Sequence, residues 1–106
     1  IGHAIEYASP LSHGESVGLG MIAAAAVSEA RLGFAYLDDV RETVGRLGLR
    51  TSIGGLDSAR VSDLLRHDKK RDEAGLRMVL LSDIAKPKLL HVADSDVKRG
   101  LAAVGL

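Results

Sequence analysis

The sequence predicts a mainly α-helical chain carrying one short β-hairpin. Three features carry that reading. An S-x-x-E helix-start pattern at Ser12–Glu15 opens an apolar run that lasts to Leu32. A second helical apolar period runs through "YLDDVRETVGRLG". Two short apolar stretches, "RMVLLS" and "KLLHVA", flank a turn-forming segment that carries Pro87.

Each element follows from local chemistry. Ser12 is the expected N-cap and His13 the first helical residue, because a serine hydroxyl can satisfy an amide left open at a helix start. Glu15 is read as the reciprocal cap. Val17, Met21, Ala24, Val27 and Ser28 follow helical spacing, and Gly33 supplies the C-terminal stop. Gly18 and Gly20 each cost roughly 1 kcal/mol relative to Ala inside a helix, so they imply close approach of another backbone or a ligand.

Leu37, Val40, Val44 and Leu47 mark one face of the second helix, which Gly48 ends. "TSIGGLD" reads as a loop. Asp57 or Ser58 then caps a third helix with Val61, Leu64 and Leu65 on one side. "HDKKRDEAG" reads as a charged, solvated connection to the hairpin, in which "DIAKPK" is the turn. Asp94 or Ser95 caps a last helix from about Asp96 to Val104.

Composition narrows the function classes. The chain of 106 residues fits one domain or part of one. Fourteen basic and fourteen acidic residues cancel, which argues against a general nucleic-acid or anionic-membrane surface. There is no cysteine, hence neither a disulfide framework nor a Cys-type zinc site, and a cytoplasmic setting is the expectation. The apolar run from Val17 to Val27 is too short to span a bilayer. An opening at Ile1 rather than Met, directly into "IGHAIE", leads to the expectation that sequence precedes it.

The chemistry-bearing residues are few. Four histidines stand at His3, His13, His67 and His91. If His3 ends one helix and His13 begins the next, a fold-back across Pro10 brings both side chains together. Imidazole is a common metal ligand, but a zinc site takes three or four ligands, so spacing alone leaves ordinary polar histidines as the alternative. In "HDKK", Lys69 and Lys70 are either a solvated charge run or a fixed phosphate-holding point charge.

"GHAIE", "HGESVGLGM", "RLG", "LLRHDKK" and "RMVLLSDIAKP" occur in the order found in dehydroquinate synthases. From residue 1 to about 92, and more loosely to its end, the chain resembles the C-terminal, largely helical domain of that family of sugar-phosphate cyclases. The resemblance implies a lyase of the shikimate pathway, in aromatic amino acid biosynthesis. Such an enzyme converts 3-deoxy-arabino-heptulosonate 7-phosphate to 3-dehydroquinate with NAD and zinc (or cobalt).

By this analogy His13 is a zinc ligand, and His3 and Lys69 face the substrate phosphate. The Gly18–Gly20 helix packs close beneath the site. The family's other zinc ligands, a glutamate and a histidine, come from ahead of Ile1. The NAD-binding domain with its glycine-rich loop is absent, so residues 1–106 are read as a single C-terminal helical domain, or a fragment of it, that is inactive and cofactor-free alone. The implied partners are the sugar acid phosphate, the missing N-terminal domain and a second copy in a homodimer. Apolar surface left without that domain also favours self-association.

Another sugar-phosphate cyclase, such as 2-deoxy-scyllo-inosose synthase, is the alternative enzyme, and a non-catalytic helical interaction module the alternative of a different class. His67 and His91 receive no family role.

Overall fold

The computed structural model describes residues 2–9, 11–54, 58–66, 71–72 and 75–106. Its elements run α1 (Gly2–Ala8), α2 (His13–Leu32), α3 (Leu37–Arg46), α4 (Ser58–Arg66), β1 (Arg71–Asp72), β2 (Gly75–Asp83), β3 (Lys86–Val92) and α5 (Asp94–Ala103). The fold is mainly α, with α2 as its axis: α1, α3, α5 and β2 all pack against it.

Helix α2 begins and ends where the sequence places it. Ser12 holds an extended backbone, and its Oγ accepts from the Glu15 amide at 3.2 Å. Gly33 closes the helix at φ 70°, in the left-handed region where a Cβ is unfavourable, and its amide donates to Glu29 O at 3.1 Å. The buried stripe differs from the expected one. Val17 and Met21 are 42% and 54% exposed, while Leu19, Ile22, Ala23 and Val27 form the core. Nearly every residue from Val17 to Val27 is apolar or glycine, so spacing alone could not choose the inward face.

Gly18 settles the question of the small turns at its own position. A Cβ there would lie 3.1 Å from Val44 Cγ1 and 3.4 Å from Leu49 Cδ1. The close neighbours are therefore side chains of α3 and of the chain just after it. Val44 is buried as expected, but Leu47, just past the end of α3, is 70% exposed.

The sheet is antiparallel in the order β1-β2-β3, one short strand more than the expected hairpin. Part of the segment read as a solvated connection is thus β1, paired Arg71↔Leu76 and Asp72↔Gly75. The hairpin turn is tighter than the expected "DIAKPK". Only Ile84 and Ala85 lie outside the strands, and Pro87 sits in β3 opposite Leu81. Proline is tolerated there because β3 is an outer strand. Leu76, Leu80 and Val92 face the core, whereas the cross-strand pair Val79↔Leu89 faces outward.

Helix α5 begins at Asp94 with Ala93 as N-cap, so neither Asp94 nor Ser95 is the cap. Asp96 supplies the missing function from inside the helix. Its Oδ2 accepts the Ala93 amide at 2.8 Å and Arg31 Nη1 at 2.7 Å, tying α5 to the last turn of α2. Helix α4 forms as expected, with Val61 buried and Leu64 half-buried, while Asp57 and the side chains of Ser58 and Leu65 lie outside what the structure describes. No helix is long and apolar enough to cross a membrane among the described residues.

Candidate site at the start of helix α2

Helices α1 and α2 pack against one another, as the expected fold-back requires, while Pro10 itself lies outside the described residues. The end of α1 is shaped by Ser9, whose Oγ donates to Ile5 O at 2.7 Å and accepts from the Leu11 amide at 3.4 Å. The helices approach closely at Gly2, where a Cβ would lie 3.1 Å from Ser16 O. Ala4 and Ile5 are buried in the same contact and anchor α1.

His13 stands at the first position of α2 with its side chain 68% exposed. Its Nδ1 lies 2.9 Å from Glu6 Oε2, so a carboxylate from α1 meets the imidazole from α2. His3 belongs to the first turn of α1, not to its end as the spacing argument supposed. Helix α1 extends past it, and Glu6, one turn further on, reaches His13, while the His3 side chain lies outside what the structure describes. Glu6 was missed by the sequence reading; the available signal was its place in "GHAIE" a helical turn after His3.

Glu15 has a different side-chain role from the one expected. Its amide receives the cap from Ser12, but its carboxylate accepts from Arg50 Nε at 3.1 Å. That ion pair ties the chain after α3 to the start of α2. Ser16, the next residue, is fully buried and its Oγ has no hydrogen-bond partner among the described residues. Glu15 and Arg50 therefore stiffen the helix start on one side, while α1 braces it on the other.

Lys69 and His67 lie outside the described residues. His91 lies in β3, exposed and opposite Arg77, away from this corner in sequence and element; its carbonyl accepts from Arg31 Nη1 at 3.4 Å. An apolar groove of about 310 Å³ starts beside the site at Gly14 and runs between α2, α3 and the hairpin tip, past Val17, Met21, Val44, Leu47 and Ile84.

Among the described residues, no group of three or more His, Asp or Glu side chains is placed to hold a metal ion. The donors that are present suit one corner of such a site: an exposed imidazole at a helix start, with a carboxylate on its other nitrogen. The arrangement thus sets one imidazole and one carboxylate together on a braced helix terminus of this mainly α domain.

Comparison with known proteins gives that domain its family. A family model described as 3-dehydroquinate synthase C-terminal matches residues 1–71. The chain is 40% identical over 98 residues to a 2-deoxy-scyllo-inosose synthase of Streptoalloteichus tenebrarius, covering 82% of this chain and 25% of the relative. It is 41% identical over 116 residues to a 2-deoxy-scyllo-inosose synthase of Micromonospora echinospora, covering 99% and 29%. It is 32% identical over 114 residues to a 3-dehydroquinate synthase of Staphylococcus carnosus, covering 97% and 29%. The chain belongs to the 3-dehydroquinate synthase family, and it spans less than a third of the length of these curated relatives.

Proposed function

We propose that this chain is the C-terminal helical domain of a phosphate-eliminating cyclase that acts on a sugar acid phosphate. In this reading it works as part of a longer polypeptide that also carries an NAD-binding domain. The reaction proposed is conversion of 3-deoxy-arabino-heptulosonate 7-phosphate to 3-dehydroquinate. The single observation that supports it best is His13 at the first position of α2, braced by Glu6 within the segment matched by the family.

His13 would hold the metal together with ligands from outside these 106 residues. When bound, zinc or cobalt supplies Lewis-acid polarisation of a substrate oxygen, and NAD supplies reversible hydride transfer. The chain's own residues position the substrate. Lys69 is assigned to the phosphate as a point charge, and His3 to the same end of the substrate. The remaining partners in this reading are the rest of the longer chain and a second copy in a homodimer, in the cytoplasm.

A second reading, 2-deoxy-scyllo-inosose synthase, has its own support. The two relatives of that name are 40% and 41% identical to this chain, against 32% for the Staphylococcus carnosus 3-dehydroquinate synthase. The experiment that separates the readings is release of inorganic phosphate by the longer protein, supplied with NAD, Zn²⁺ and 3-deoxy-arabino-heptulosonate 7-phosphate. Release with formation of 3-dehydroquinate supports the first reading, and no release contradicts it.

Two further outcomes are expected. Lys69→Ala should weaken the phosphate-bearing substrate more than its dephosphorylated analogue; equal losses would remove the phosphate role. The isolated 106-residue chain should give no saturable NAD binding by calorimetry.

A further inference from the structure

We propose that Glu6 is the positioning residue for His13: its carboxylate holds the imidazole through Nδ1, so that Nε2 is the nitrogen presented for coordination. The inference rests on the reading of His13 as a metal ligand and extends it to a residue on a different helix.

The geometry is direct. His13 Nδ1 and Glu6 Oε2 are 2.9 Å apart. An ionised carboxylate only accepts, so the bond requires Nδ1 to carry the hydrogen. In a neutral ring that places the lone pair on Nε2. Glu6 thereby selects one of two tautomers as well as a ring orientation.

That selection bears on an exposed histidine. Its side chain is 68% exposed, and an exposed side chain loses rotamer entropy whenever it is ordered. Glu6 is the better-anchored member, with its side chain 35% exposed. It follows Ala4 and Ile5, both buried in the core, and the end of its helix is fixed by the Ser9 bond to Ile5 O. The core therefore sets the position of the carboxylate, and the carboxylate sets the position of the ring. Outer partners of this kind are worth about 10–100-fold in metal affinity when removed.

The test uses the longer protein that carries this chain, with Zn²⁺ alone as the probe. Nitrogen-resolved NMR of the His13 ring, at a pH where imidazole is uncharged, reads the tautomer directly. The wild-type ring should carry its hydrogen on Nδ1, and Glu6→Ala should shift it toward Nε2. Glu6→Gln, which keeps a carbonyl acceptor of the same reach, should retain part of the Nδ1–H form.

A Zn²⁺ titration followed at the same ring signals should show affinity falling about 10–100-fold in Glu6→Ala and less in Glu6→Gln. Helical circular dichroism keeps these effects apart from unfolding, and Glu6→Gln carries the test if Glu6→Ala does not fold. A wild-type ring protonated on Nε2 would overturn the inference. So would unchanged zinc affinity in both Glu6 variants while His13→Ala weakens binding. Unchanged affinity in His13→Ala would instead remove the ligand reading itself, and this inference with it.

Discussion

The two ends of helix α2 are built on opposite principles. Both contain a buried serine. Near the C-terminal end, Ser28 Oγ donates to Ala24 O at 2.7 Å and accepts the Leu81 amide at 2.9 Å, so helix and sheet share a fully used hydroxyl. Near the N-terminal end, Ser16 Oγ is equally buried and has no partner among the described residues. The C-terminal end also has the Arg31–Asp96 pair and the left-handed Gly33 cap, all directed at joining elements. The N-terminal end instead presents His13 outward and braces it from the side with Glu6 and with the Glu15–Arg50 pair. One end spends its polar groups on stability, and the other holds them where a ligand can reach.

The contrast predicts unequal costs of mutation. Asp96→Ala should be the most damaging of the polar changes, at about 2–3 kcal/mol, because it removes the only side-chain cap seen at the start of α5 and the Arg31 pair together. Chemical denaturation should show it as a fall in midpoint without a change in slope; a loss below about 0.5 kcal/mol would mean the clamp is not formed in solution.

Ser28→Ala should cost about 1–2 kcal/mol, since the Leu81 amide loses its acceptor at the edge of β2 that faces the helix. Amide exchange at Leu81 is the local readout, and it should accelerate more than exchange elsewhere in β2. Gly33→Ala should cost about 1 kcal/mol through its positive φ, again read from denaturation. Ser16→Ala should be neutral or stabilising by up to about 1 kcal/mol, because it deletes a buried hydroxyl that bonds nothing among the described residues. A clear loss of stability in that variant would show that Ser16 has a partner in solution and would erase the contrast between the two serines.

The two ends were also unequally legible in the sequence. The boundaries of α2 could be read because caps act locally: Ser12, Glu15 and Gly33 specify them within a few residues. Its inward face could not, since the run from Val17 to Val27 is apolar or glycine throughout and leaves the choice to tertiary packing, and Val17 and Met21 ended outside. The α5 cap was misplaced for a related reason: Asp94, Ser95 and Asp96 are all capable residues, and the decision came from Arg31, distant in sequence.

At the site, His13 was legible as a helix-start histidine, but Glu6 was not, because its role depends on how α1 folds across α2. Arg50 was hidden in the same way: a lone arginine after a helix gives no local sign that it will meet Glu15.

The smallest effect on stability should come from His13→Ala, within about 0.5 kcal/mol for an exposed position, yet it should have the largest effect on function. The direct measurement is zinc content of the longer protein after dialysis against a mild chelator, comparing His13→Ala with His91→Ala. His13→Ala should lose zinc and turnover together, while His91→Ala retains both. Full zinc occupancy in the His13 variant would contradict this, and would leave His13 as no more than the first residue of a capped helix.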